Sequence, residues 1–445
     1  MTTPTIPTAP HRLPLAGHVF WLMHDLLGAL KAVRAEGDIV LVHLGRLPVH
    51  VVSSPELVRQ ILVAESDKFG KGRFFDMLRP VVGNGIATSD GEFHLRQKRL
   101  LMPTFRPDRL RRYVQVMREQ TEVVTGRWTP GGRIDADRAV HELNFRIVCR
   151  ALFHSESGER AVAIALRWLP VFSHGLTRQA IGTDLLNRLP TPGNRRFQQA
   201  NRRLTLLLDE VIREHQVDLT DRGDVLSTLV SSVDEVSGAV MSDQQLRDEL
   251  VTILLAGTGA TTPALAWLFY ELARNPGLDA RLQAEPTEVL GGRPVTFDDV
   301  DSLVLTRRLI RETLRRYSPL TISMRRATTE VRIGGHVFPA GAEFLFSPTM
   351  LHRDVDLYPA PVTFDPDRWA VEPSRNTYMP FGAGRHRCIG EHFALTEMAV
   401  VLATVARTWR LEPVPGHRTR EVAALTLHPD RIPMRTLLRT ASPTA

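Results

Sequence analysis

Phe381-Gly382-Ala383-Gly384-Arg385-His386-Arg387-Cys388-Ile389-Gly390 is the stretch on which the reading of this chain turns. Three glycines in ten residues let the backbone take positive φ and approach a bound group closely. Loop N–H groups can donate to the Cys388 sulfur, and the positive end of a helix expected from about Cys388 to Arg407 favours a thiolate. Phe381 is placed to cap the sulfur. A held, ionised sulfur of this kind is a metal ligand.

Outward from the loop, the composition sets limits. The chain has 445 residues, 43% hydrophobic and 24% charged, so it can bury a large core. Cys149 and Cys388 are its only cysteines, which excludes a disulfide framework and fits a reducing cytosol. Net charge is +7, but the basic residues, nearly all arginine, are spread along the whole length. That distribution argues against a nucleic-acid site. Residues 1–10 read as a flexible proline-rich lead, with no apolar leader segment. Charged residues interrupt the stretch 20–33 short of a membrane span. A soluble, cytoplasmic protein with no membrane partner is expected.

Apolar periodicity describes a mostly helical body with β elements near both ends. Residues 39–44 and 49–52 read as a hairpin around Gly45-Arg46-Leu47-Pro48. Long helices are expected from Ser242 to Arg274 and from about Val300 to Tyr317. Short strands follow at 331–333, 337–338 and 343–346, then an irregular proline-rich stretch over 359–380. Strands from the two ends are expected to share a sheet, which makes residues 1–445 a single domain.

The string Phe-Gly-x-Gly-x-His-x-Cys-x-Gly resembles, at every fixed position, the haem-binding loop of the cytochrome P-450 family. Further matches extend the resemblance over roughly residues 10–435. It implies a mainly α fold with small β-sheets, haem b lying between a long central oxygen-binding helix and the cysteine loop. Cys388 becomes the metal ligand, and Phe381, Gly382 and His386 line the cofactor. Glu312 and Arg315, neighbours on one helix face, join Arg368 in a structural triad. Haem propionates need cations, and the resemblance assigns them His94, Lys98 and Arg325.

The central helix departs from the family pattern. Leu255-Ala256-Gly257-Thr258-Gly259-Ala260-Thr261-Thr262-Pro263 places Gly259 and Ala260 where the family carries an acid and an alcohol that help deliver protons. A shift of one residue gives Thr261 the alcohol role and still supplies no acid. Pro263 cannot donate to the carbonyl of Gly259, so the helix is expected to open or kink there and hold water. Thr258, Thr261 or Thr262 would organise that water. Protons would then travel through it, or through a hydroxyl or carbonyl of the substrate.

The resemblance also indicates substrate-contacting segments: Phe74 to Ile86, Phe172 to Leu189, the oxygen helix, Leu320 to Met324 and the turn near Leu425. Their apolar residues, among them Phe75, Leu78, Leu255, Ala256, Ile322, Met324 and Leu427, suit a small hydrophobic metabolite of terpenoid or polyketide type. The implied chemistry is monooxygenation with dioxygen as co-substrate. Electrons would come ultimately from NAD(P)H through a ferredoxin or flavodoxin and its reductase, docking on a basic face near Arg96, Lys98, Arg99, Arg385 and Arg387. Oxidative ring closure, desaturation or carbon–carbon coupling is the second reading, and a haem sensor or sequestering protein the third.

Overall fold

In the computed structural model the residues described are 5–153, 158–181, 189–374, 376–423 and 426–439. The N-terminal hairpin pairs β1 (Ile39–Leu44) with β2 (Leu47–Val52) in register Ile39↔Val52. The turn is tighter than the sequence indicates: Leu44 faces Leu47, and only Gly45 and Arg46 lie between, with Gly45 at φ +63°. Such a two-residue turn needs positive φ, which glycine supplies. Residues expected to be a loose lead are also tied down. Ala9 donates to the Leu41 carbonyl and Leu41 to that of Pro7, so this segment runs beside β1.

β2 pairs in parallel with β5 (Glu343–Phe346), which pairs antiparallel with β4 (Ser323–Ala327), and β4 with β3 (Phe69–Lys71). The five-stranded order is therefore β1-β2-β5-β4-β3, and strands from both ends of the chain do share one sheet. Every residue of β5 is buried, as a central strand covered on both faces requires.

The helical body surrounds α4 (Asp243–Arg274). Ser242 and Gln245 close a reciprocal capping box at its start, and Asn275-Pro276 ends it. This helix is long and apolar enough to cross a membrane, but most of its apolar stretch is buried inside the protein. It is the core helix. Against it pack α3 (Ala136–Leu152), α5 (Val304–Arg316) and α6 (Glu391–Thr408); α2 (Pro107–Thr125) packs on α3 and α6, and α1 (Gly91–Leu101) precedes α2. One large cluster of buried side chains joins α2, α3, α4, α5 and α6.

Two helix starts differ from expectation. α5 begins at Val304 because a 3₁₀ turn over Phe297–Ser302, capped by Thr296 and Asp299, precedes it. α6 begins at Glu391, leaving Cys388 in the loop ahead of the first turn.

Candidate functional site

The cysteine loop is fixed by its own backbone. Gly382 N–H donates to Met379 O (3.1 Å), Arg387 N–H to Gly384 O (3.1 Å) and Cys388 N–H to Phe381 O (3.0 Å). Gly382 and Gly384 stand at φ +69° and +68°. A Cβ on Gly384 would lie 1.7 Å from the carbonyl oxygen of Leu62, in the π-helical turn Gln60–Ala64, so loop and turn dock backbone to backbone. Phe381 packs into the main core and closes the loop through its carbonyl.

Cys388 is exposed, yet burial is the largest influence on its thiol and pushes its pKa up. The two observations agree if its open surface faces an interior space. The Gly390 N–H and Arg387 pull the pKa back, and the Glu391 carboxylate opposes them. Gly390 is the N-cap of α6, so the helix end does lower the thiol pKa, but burial and the acid in the first turn outweigh it. A thiolate here requires a cation bound at the sulfur.

A second group gathers where β3, β4 and α1 meet the loop. Arg325 is buried on β4, donating to Met324 O (2.7 Å) and Ser323 Oγ (3.4 Å). Burial holds its pKa down to about 10. Lys71, buried on β3, donates to Ile86 O (2.6 Å) and lies 3.4 Å from His94 Nδ1. Burial takes it down to about 7. His94, driven to about 3 by burial and then by Lys71, keeps a buried Nε2 without a partner. Its ring sits 4.6 Å from that of His386, whose Nε2 is 3.3 Å from Asp90 Oδ1 without hydrogen-bond alignment. Asp90 also accepts from the N–H groups of Lys71 and Gly91; His386 first, then these two N–H groups, hold its carboxyl well below the usual range despite burial.

Buried cations short of anions are costly unless an acidic ligand joins them. Two haem carboxylates fit this cluster, and the thiol that needs a cation fits haem iron. Among the described residues no group of three or more His, Cys, Asp or Glu side chains could hold a metal by itself, so one sulfur with a macrocycle also fits the donor set. Lys98 Nζ donates to Arg385 O (3.0 Å) and braces the cysteine loop. Lys71 and Asp90 are the members that the sequence reading missed. A lysine set between Gly70 and Gly72, next to Phe69, was the available signal.

The structure brings the three triad residues together around one carboxylate. Glu312 accepts Arg315 Nε (2.9 Å) and Nη2 (2.8 Å), Arg368 Nε (3.1 Å), Trp369 Nε1 (3.0 Å) and Asp365 N–H (3.0 Å). Glu312 and Arg315 are fully buried, and Arg315 also donates to the His352 carbonyl (2.7 Å). One side chain thus pins the irregular meander to α5.

On α4, Ala256 and Gly259 are exposed and Leu255 and Ala260 partly so, although Leu254, Thr258 and Thr261 beside them are buried. At spacings of three and four they form one open stripe. A Cβ built on Gly259 meets nothing within 4 Å, whereas one on Gly257 meets Val148 of α3 at 3.1 Å. α4 stays helical on both sides of Pro263. Thr258 Oγ1 donates to Leu254 O (2.6 Å), Thr262 Oγ1 accepts from Asn144 Nδ2 (2.9 Å), and Thr261 is buried. Asn144 is another functional candidate that the sequence reading passed over.

Phe75, Leu78 and Ile322 are half-buried, while Met324 and Leu427 are buried. Leu427 accepts the indole N–H of Trp267 at its carbonyl (3.0 Å), which anchors the strand that carries it. Residues 182–188 and 424–425 of the expected substrate segments lie outside the described residues. On the basic face, Asp234 engages Arg99 (3.1 Å) and Arg96 (3.9 Å), and Glu391 holds Arg387 through two contacts of 2.7 Å. Its net charge is smaller than the sequence implies.

Fold and site define a haem-thiolate enzyme. The profile of the cytochrome P-450 family matches residues 7–433. Cyclooctatin synthase of Streptomyces melanosporofaciens is 41% identical over 425 residues, 94% of this chain and 93% of that protein. Pentalenene oxygenase of Streptomyces avermitilis is 35% identical over 438 residues, 97% of each. The crystal structure of the cytochrome P-450DA haem domain superposes with a TM-score of 0.88 over 99% of both chains, at 24% identity, a likeness of fold. The chain belongs to the cytochrome P-450 family. With that come haem, dioxygen, reducing equivalents from a redox partner and a hydrophobic substrate, in a monooxygenase.

Proposed function

We propose that this monooxygenase, working as a single cytoplasmic domain, hydroxylates a mid-sized apolar terpenoid in specialised metabolism. The observation that carries the chemistry is Cys388, exposed within a backbone-fixed loop beside buried basic groups that outnumber the Asp90 carboxylate among them. The substrate class rests on relatives whose names concern cyclooctatin and pentalenene, matched over nearly their whole length.

Cys388 would ligate the iron of haem b, with Gly390 N–H donating to the sulfur and Gly384 holding the loop against Leu62. Arg325, Lys71, His94 and His386 would take the propionates, and Lys98 would steady the loop through Arg385. Bound there, haem supplies the reductive activation of dioxygen. The stripe Leu255, Ala256, Gly259 and Ala260 would form the wall facing substrate and oxygen, leaving room for a fused ring close to the helix. Phe75, Leu78, Ile322 and Met324 would add apolar wall. Electrons would come from NAD(P)H through a ferredoxin or flavodoxin and its reductase, docking near Arg385 and Arg387.

The absence of an acid–alcohol pair at Gly259 and Ala260 favours one second reading, ring closure or desaturation at the same site. The test is a carbon monoxide difference spectrum of the reduced protein, then turnover of cyclic terpene hydrocarbons and alcohols. The long-wavelength Soret band of thiolate-ligated haem and a product heavier by one oxygen are expected. A product lighter by two hydrogens selects the second reading. A short-wavelength band overturns thiolate ligation by Cys388.

A further inference from the structure

α4 stays helical on both sides of Pro263, although its ladder is one hydrogen bond short there. Pro263 has no N–H, so the Gly259 carbonyl loses its partner in the helical ladder, and a proline in that position ordinarily bends a helix. One buried side chain spans the weak point. Asn144, on α3 and fully buried, donates from a single Nδ2 to the Gly257 carbonyl (3.2 Å) and to Thr262 Oγ1 (2.9 Å). These partners, at positions 257 and 262, stand on either side of Gly259. A carbonyl only accepts, so the amide edge facing Gly257 must be the NH₂. One turn further along α3, Val148 packs closely against Gly257, 3.1 Å from where a Cβ would stand. α4 is thus clamped on its Asn144–Val148 side, while Gly259 is exposed with free space around its Cα.

We propose that Asn144 is a positioning residue for proton delivery. It replaces the backbone bond that Pro263 cannot make, and keeps the unpaired Gly259 carbonyl fixed beside the open stripe as the acceptor for a proton-carrying water. The helix carries no acid or alcohol at 259 and 260, and Thr258 is committed to Leu254. A fixed carbonyl is what remains on that stripe to hold water where dioxygen is reduced. The proposal rests on the monooxygenase reading above, and it assigns to α3 a part in the reaction.

The test uses the haem-loaded protein and two near-isosteric variants, Asn144→Leu and Thr262→Val. The second removes one hydrogen bond from the helix side and guards against a folding failure of the first. Two quantities are read: product formed per reductant consumed, and amide hydrogen exchange over residues 257–264. Each variant is expected to divert reductant to hydrogen peroxide and raise local exchange about tenfold, the effect of one lost hydrogen bond. Substrate dissociation constant and Soret spectrum should stay as in the parent, and the double variant should be no worse than Asn144→Leu. Faster exchange with unchanged product yield overturns the link to proton delivery. Lower yield with unchanged exchange overturns the brace. If the parent itself lacks the thiolate spectrum, the site reading fails and the proposal with it.

Discussion

The cysteine loop and the oxygen helix secure their geometry in opposite ways. In the loop, short-range backbone bonds and two positive-φ glycines fix each residue, and Gly384 touches the Leu62 carbonyl so closely that no other side chain fits. On α4 the corresponding stripe is open, and its order comes from outside, through Asn144 and Val148 on α3. One region is specified locally and tolerates nothing. The other is specified at a distance and leaves space. Substitutions that separate these two cases test the contrast.

The largest effect belongs to the loop. Cys388→Ser should remove the thiolate Soret band and reduce turnover to background, read by difference spectroscopy and product formation. Retained thiolate character would have to come from Cys149, which is fully buried with its pKa driven far up by burial.

Next comes the clamp that holds the meander leading into the loop. Glu312→Gln keeps the shape but leaves the buried Arg315 guanidinium without its counter-charge, a loss of about 3–5 kcal/mol. Denaturant unfolding would measure it, and faster haem release should accompany it. Gly384→Ala and Gly382→Ala then divide conformation from contact. Both force a non-glycine residue to positive φ, at about 1–2 kcal/mol each. Only Gly384→Ala also drives a methyl into the Leu62 carbonyl, adding about 1–3 kcal/mol for the displaced backbone. Equal losses in the two variants would refute the backbone docking.

The same contrast explains what could be read from the sequence. Local chemistry was legible: the glycine spacing of the loop, the Ser242 and Asn275-Pro276 boundaries of α4, and the Glu312–Arg315 pairing on one helix face. Long-range placement was not. Nothing around Asn144 marks it as the partner of Gly257 and Thr262, more than a hundred residues away. Lys71 looked like an ordinary lysine until β3 paired with β4 and set it beside His94.

Lys71 gives a prediction in pH. Burial lowers its pKa from 10.5 to about 7, so between those values the unfolded chain holds the proton and the folded one releases it. Stability of the haem-free protein should therefore rise as pH increases from about 7 towards 10.5. His94, lowered from 6.5 to about 3, should make the same protein lose stability as pH falls through that lower window. Carboxylates bound beside these groups would raise both values and flatten both slopes in the haem-loaded protein. Lys71→Met should remove the alkaline slope, stabilise the haem-free form and speed haem loss, as measured by thermal unfolding and by haem transfer to an acceptor protein. Parallel pH profiles for the two forms would argue against a propionate at Lys71.

The smallest effect probes the open side of α4. Gly259→Ala places a methyl where nothing lies within 4 Å and removes backbone freedom from the unfolded chain. In a helix interior this exchange stabilises by about 0.5–1 kcal/mol. Gly257→Ala gains the same propensity, but its methyl meets Val148 at 3.1 Å. The neighbour must yield, so the gain should shrink or reverse. Thermal unfolding of the two variants compares helices identical in everything but the face that carries the methyl. Gly259→Ala should also narrow the space above the stripe, so a bulky ring substrate should bind more weakly while a slimmer one is unaffected. If Gly259→Ala destabilises as much as Gly257→Ala, the stripe is packed after all, and the wall assigned to the substrate must lie elsewhere.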